Sequence, residues 1–166
     1  MLIYYLVDIY NSGMRSGLFE ILTALVLELS SSKEYCTNLM APIQESVLIT
    51  GIPIVSGSYA DLFFVTFSYL MIESDQHMGY FANFLAILKN LSFHVMNLST
   101  LASNHIFLLV KKYLPYPMML KNYNNILLFK DLIELIDRIL TFRSQFNQEF
   151  HIQLVKNFSA MNKAKS

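Results

Sequence analysis

Residues 52–72 read Ile52-Pro53-Ile54-Val55-Ser56-Gly57-Ser58-Tyr59-Ala60-Asp61-Leu62-Phe63-Phe64-Val65-Thr66-Phe67-Ser68-Tyr69-Leu70-Met71-Ile72, a corner followed by an apolar run. Pro53 fixes its own φ and biases Ile52 toward an extended conformation, and Gly57 permits a sharp change of direction. Ser58 has the chemistry of an N-cap. Asp61, three residues on, can reach back to the cap N–H while its charge sits on the positive end of the helix dipole. These residues predict a helix starting at Tyr59. From Leu62 to Ile72 only Thr66, Ser68 and Tyr69 interrupt the apolar residues, so this helix has no wet face and has to be covered on nearly every side. Eleven residues fall short of the roughly 20 that cross a bilayer, so burial inside a protein is the preferred reading.

Working outward, the flanking segments are also helical. Residues 2–9 are apolar and tyrosine-rich and stop at Asn11-Ser12-Gly13, as the tail of a helix would. Residues 17–29 carry Leu18, Ile21, Leu22, Leu25, Val26 and Leu29 at helical spacing, which predicts an amphipathic helix with those side chains inward and Glu20 and Glu28 elsewhere. Residues 33–51 lack a sustained period and contain Pro42. They read as a long connection with one short helical turn, an ordered strap burying Leu39, Met40, Ile43, Val47, Leu48 and Ile49.

Downstream of the central run, Glu73-Ser74-Asp75-Gln76 is a polar turn. A helix over residues 77–89 follows, with Met78, Phe81, Phe84, Leu85 and Leu88 as its stripe, and Asn90-Leu91-Ser92 reads as a break. Another helix over 99–113 carries Leu101, Ile106, Leu108, Leu109 and Val110, ends on Lys111-Lys112, and is stopped by Pro115-Tyr116-Pro117. The polar cluster 122–125 suits a cap. The helix predicted over 126–143 lines one side with Phe129, Leu132, Ile133, Ile136, Ile139 and Leu140, and places the i,i+4 pairs Lys130–Glu134 and Glu134–Arg138 on the other. A last helix spans 148–158, and residues 161–166 read as a frayed tail. Strand-like alternation is absent over any useful length.

The expectation is therefore an all-α fold: an irregular stack of antiparallel helix pairs, HEAT- or armadillo-like, in one domain over residues 1–160. Hydrophobic residues make up 54% of the 166 against 14% charged, a surface poor in charge for a free-standing domain. Such a composition fits a segment of a larger helical array, whose pairs bury their apolar faces against neighbours.

The same inventory excludes several kinds of chemistry. Twelve basic and twelve acidic residues cancel, so no global field favours nucleic acid. Cys36 is the single cysteine, which rules out an intramolecular disulfide or a cysteine metal cluster and reads as a buried apolar thiol. His77, His94, His105 and His151 are scattered without a second ligand at metal-binding spacing. Ser56-Gly57-Ser58 lacks the frame of a nucleophile elbow, and Gly51 and Gly57 are too sparse for a phosphate loop. Asp61 is explained as a cap before it is needed as a catalytic acid. Asn90-Leu91-Ser92, Asn97-Leu98-Ser99 and Asn157-Phe158-Ser159 match the glycosylation triplet, a pattern that matters only in a secreted chain. The start has neither the basic region of a signal peptide nor a glycine at position 2 for myristoylation.

Residues 52–62 resemble the Ile-Pro-x-Phe-x-Gly-x-x-Ala-Asp-Leu signature of the high-temperature-induced dauer-formation family, relatives of dymeclin linked to Golgi and secretory-granule traffic in eukaryotes. Ile52, Pro53, Gly57, Ala60, Asp61 and Leu62 carry the match, and Val55 stands at the Phe position. Farther on, Asn90-Leu91-Ser92 through Leu98-Ser99 is similar to the family's Asn-Val-Ser…Leu-Ser stretch, with Asn104 in step. Leu132, Glu134, Ile139, Asn147, Leu154 and Lys156 align with its later helices, so the resemblance spans residues 2–156. Family members are longer chains that begin with a myristoylated glycine. The resemblance therefore implies an internal segment, a truncated product or a reduced relative.

What it implies in function is a non-enzymatic helical scaffold on the cytosolic face of Golgi membranes, acting in secretory traffic and protein sorting. Its partners would be proteins of the secretory machinery, with peripheral membrane association and no cofactor, metal, nucleic acid or small-molecule substrate. The signature residues would then be structural or partner-binding. The alternative, motivated by the hydrophobic content alone, is a membrane-inserted helical protein.

Overall fold

The computed structural model describes residues 2–12, 16–44, 49–73, 75–113, 123–142, 145 and 147–163. Among them are eight α-helices: α1 (Leu2–Ser12), α2 (Ser16–Ser30), α3 (Lys33–Asn38), α4 (Tyr59–Glu73), α5 (Phe81–Ser92), α6 (Thr100–Tyr113), α7 (Tyr123–Thr141) and α8 (Gln148–Lys163). A 3-10 helix, Asp75–Tyr80, leads into α5. No strand forms among these residues, and one isolated bridge pairs Pro42 with Ser58. No helix among the described residues is long and apolar enough to cross a membrane.

The helix starting at Tyr59 is the central element. Ala60 through Ser68, Leu70 and Met71 are buried, and Tyr59, Tyr69 and Ile72 are partly covered, which leaves Glu73 at the water end. It is wrapped by α5 and α6. Its aromatic side joins a cluster in which Phe84 stands 5.0 Å from Phe67, and Phe19 meets Tyr80 and Phe84 edge-on. Offset and edge-to-face rings of this kind add to the area they bury.

End-to-end contacts fix the direction of the helices. Ser99, just before α6, bonds Asp61 at the start of α4, while Tyr113 at the end of α6 bonds the carbonyl of Met71 near the end of α4, so the two run parallel. Phe19 meets Phe84 near the starts of α2 and α5, and Asn90 bonds Ser30 where both end, so these are parallel as well. Phe93 and Phe142, immediately after α5 and α7, pack at 5.0 Å, and Lys89, one turn before Phe93, bonds Asp131 and Glu134, which likewise precede Phe142, so α5 and α7 are also parallel. Phe81 at the start of α5 lies against Tyr113 at the end of α6, so α5 runs opposite to α4 and α6. Two layers result: α2, α5 and α7 side by side, and α4, α6 and α8 facing them, with α1 against α2 and reaching Leu70 through Tyr10. This is the irregular stack of antiparallel pairs expected from the sequence.

Several expected faces and boundaries shift. In α2 the inward residues are Phe19, Thr23, Val26 and Ser30, whereas Leu18, Ile21 and Leu25 face out. The helix is so apolar that two overlapping stripes were available, and the larger Phe19 takes the core. Leu108 of α6 and Ile133 of α7 are likewise exposed, their places taken by Phe107 and Leu135. Asn90-Leu91-Ser92 does not break α5 but forms its last turn, with Leu91 and Ser92 buried. Glu134 is held by Lys89 at 3.1 Å and by Arg138, not by Lys130, so that this charged row faces the α5–α7 seam instead of open water. α7 starts at Tyr123, ahead of the expected 126, and α8 continues to Lys163, beyond the expected 158. Pro115-Tyr116-Pro117, Val47, Leu48 and the last three residues lie outside the described residues.

Candidate functional site

The corner before α4 is where the signature residues meet. The first N–H groups of a helix have no partner within it and need outside acceptors. Here Tyr59 N–H donates to Ala41 O (3.1 Å) and Ala60 N–H to Leu39 O (2.8 Å), both carbonyls belonging to the strap after α3. Asp61 N–H donates to Ser58 Oγ at 3.1 Å, and Leu62 N–H begins the helical ladder on Ser58 O. In return Asp61 Oδ2 accepts from both the N–H and the hydroxyl of Ser58, each at 2.8 Å, which completes a capping box with aspartate in the usual glutamate position. The strap closes over this corner through Ile43 N–H on Gly57 O at 2.8 Å.

Gly57 has φ +148°, and a Cβ placed on it would stand 2.5 Å from Asp61 Oδ2. Glycine is therefore required twice, by conformation and by the carboxylate beside it. Ile52, Ala60, Asp61 and Leu62 are buried, while Pro53 and Gly57 are exposed. Val55 is also buried, so the residue that departs from the signature still fills an apolar position.

Asp61 is 2% exposed, and its other oxygen leaves the corner altogether. Oδ1 accepts the backbone N–H of Ser99 at 2.7 Å, and Ser99 in turn caps α6 through Ala102 N–H on its Oγ at 3.2 Å. One carboxylate thus sits at the starts of two helices, where the dipoles of both favour negative charge. The loop carrying Ser99 is gripped from the opposite side by buried Asn147, whose Oδ1 accepts Leu98 N–H (3.2 Å) and whose Nδ2 donates to Val95 O (3.4 Å). Asn97 between them has φ +58°, a conformation that Asn tolerates better than most residues. Three separate stretches of the family resemblance, at Asp61, Leu98-Ser99 and Asn147, therefore converge on one knot.

A family model described as Hid1, high-temperature-induced dauer-formation protein, matches residues 1–164. The chain belongs to the high-temperature-induced dauer-formation family. Neither the curated proteins nor the solved structures searched gave a match. Within this family member, the match takes in the whole knot and all eight helices.

Beside the knot an open cleft of about 550 Å³ is lined by Asn97, Thr100, Gln145, Gln148, Glu149 and Ile152 among others. Hydrogen bonds from Gln153 and Thr100 hold the Glu149 carboxyl below its ordinary value. No group of His, Cys, Asp and Glu among the described residues is arranged to hold a metal ion. Cys36 is buried and donates its thiol to Ser30 O at 3.0 Å, and burial pushes its pKa up, away from the thiolate that reactivity needs.

Residues that periodicity did not single out hold the far end of the same pair of helices. Lys112 donates to Ile72 O (2.5 Å) and Tyr113 to Met71 O (2.8 Å), so the basic end of α6 caps the carbonyls of α4. A lysine pair before a proline was the signal. Which helix it would cap was not local information.

Proposed function

We propose that the protein is a non-enzymatic helical scaffold of the secretory pathway, bound peripherally on the cytosolic face of Golgi membranes and recruiting proteins that take part in sorting. The observation that carries this reading is the family match across residues 1–164, since the family is one linked to Golgi and secretory-granule traffic. The chemistry of the corner is in keeping with it. Both oxygens of Asp61 are taken up by Ser58 and Ser99, which makes the carboxylate a fastener and leaves it poorly placed to move protons for a substrate. The signature residues act, on this reading, by holding a partner-binding surface in shape.

The reading is tested by following a tagged chain in its native cell and extracting its membranes with alkaline carbonate. A Golgi-overlapping signal that carbonate releases is expected. A nuclear or uniformly secreted signal would overturn it. Protein retained in the carbonate pellet would instead favour insertion.

A further inference from the structure

We propose that the cleft where α1 meets the strap takes the guanidinium of an arginine side chain from a protein partner. Its volume is about 540 Å³, and Tyr4, Tyr5, Asp8, Asn11, Ser12 and Thr50 are among its lining residues. Tyr4, Asp8 and Asn11 stand at i, i+4 and i+7 on α1, and Tyr5 lies three residues before Asp8, so one side of the helix brings two phenols, a carboxylate and an amide to the same wall. Asp8, Asn11 and Thr50 are exposed, which leaves that wall open to another chain.

Hydrogen-bond accounting gives the sign of the occupant. Asn11 Nδ2 donates to Thr50 O at 3.0 Å, which ties α1 to the strap, and Ser12 Oγ donates to Ile9 O at 2.9 Å. With those donors spent, what Asp8 and Asn11 still offer is acceptors: both carboxylate oxygens and the amide Oδ1. Among the described residues no hydrogen bond or ion pair engages the Asp8 carboxylate, and no lysine or arginine lines the cleft. Asp8, Asn11 and Ser12 also lie at the C-terminal end of α1, where the carbonyls form the negative end of the helix dipole and no basic side chain of the last turn answers them. A phosphate or an acidic headgroup is repelled by this set, and a neutral ligand leaves Asp8 unanswered. Of the two basic side chains arginine fits better. Its planar fork has five donors for acceptors one turn apart, and its flat face packs on phenol rings where an ammonium stays hydrated.

The cellular role proposed above is not a premise, because the test uses the purified chain alone. NMR titration with a capped Gly-Arg-Gly peptide is expected to move the amides of Asp8, Asn11 and Thr50 along one saturable curve. The citrulline counterpart keeps the shape and loses the charge, and should bind about threefold more weakly or worse, the factor expected of one exposed ion pair. Asp8→Asn, checked for native helicity by circular dichroism, should weaken the arginine peptide as much. Glu28→Gln, the same charge change at an exposed position on α2, should leave the curve where it was. The absence of a saturable shift, equal binding of the citrulline peptide, or equal weakening by Glu28→Gln would overturn the proposal. A lysine peptide that binds as tightly would reduce the cleft to a point charge, and choline that binds more tightly would make the occupant a small ammonium compound. Either result overturns arginine as the ligand.

Discussion

Ser99 donates its backbone N–H to Oδ1 of Asp61 at 2.7 Å, across 38 residues of chain. The cap of α6 therefore depends on a side chain whose other oxygen is already closing the cap of α4. Asp61→Ala strips the acceptor from two backbone donors at once. An orphaned buried donor costs about 1–3 kcal/mol, so a loss of about 2–4 kcal/mol is expected from urea unfolding. Asp61→Asn, which can keep one oxygen on Ser99, should lose less. A change within about 0.5 kcal/mol for the alanine variant, the range of an ordinary surface substitution, would show that the shared cap carries no weight.

Gly57→Val strains the corner by its positive φ and by the contact with Asp61 Oδ2, with an expected cost of about 1–3 kcal/mol. Only the second part depends on the carboxylate. The same substitution made in an Asp61→Ala background should therefore cost less, by about 0.5 kcal/mol or more, in a double-mutant cycle. Strict additivity would place the whole effect in the backbone.

Phe84 is fully buried and its ring meets Phe19, Phe67, Tyr80 and Phe81, whereas Leu108 is exposed on the back of α6. Phe84→Ala is expected to destabilise the fold by about 3–5 kcal/mol. Leu108→Ala should stay within about 0.5 kcal/mol. Comparable melting shifts for the two would contradict the burial described for α5 and α6.

Lys89, by its hydrogen bond, and then Arg138 hold the Glu134 carboxyl below its ordinary value. A carboxyl depressed in the folded state contributes stability above its unfolded pKa, and that contribution is lost as pH falls through the folded value. Lys89→Met should move the Glu134 titration upward toward an ordinary glutamate, read from its carboxyl carbon by NMR. It should also shrink the part of acid destabilisation that sets in below the unfolded glutamate range. A Glu134 titration indifferent to Lys89 would show that the seam ion pairs do not persist in solution.

His105 is buried in α6 with Nδ1 unpartnered, and burial holds its pKa below the ordinary 6.5. As pH drops through 6.5 the unfolded chain takes up a proton that the folded chain resists, so stability falls with pH in that window. His105→Leu should flatten the slope of unfolding free energy against pH just below neutrality. An unchanged slope would assign that titration elsewhere.

The features legible in the sequence were the ones that local chemistry decides. Pro53, Gly57, Ser58 and Asp61 announce a turn and a capped helix within one nine-residue stretch, and α4 begins at Tyr59 as they require. The choice of inward face in α2 was not local. Where Leu18, Phe19, Ile21, Leu22, Leu25 and Val26 leave few polar positions, the period exists but its phase is set by what packs against it, here Phe84 and Tyr80. Asn90 and Ser92 read as interruptions because both are indifferent helix formers, yet buried Leu91 kept the turn wound. The second role of Asp61, and Lys112 reaching the carbonyls of α4, join residues tens of positions apart and become visible only with the two parallel helices in place.

That pairing has a mechanical consequence. α4 and α6 are latched at one end by Asp61 and at the other by Lys112 and Tyr113, so neither can slide along the other without breaking a charged or buried bond. A load pulling along their length meets a doubly pinned plank. Bending of the stack then falls to the seams on either side of it, where α6 meets α8 and α2 meets α5.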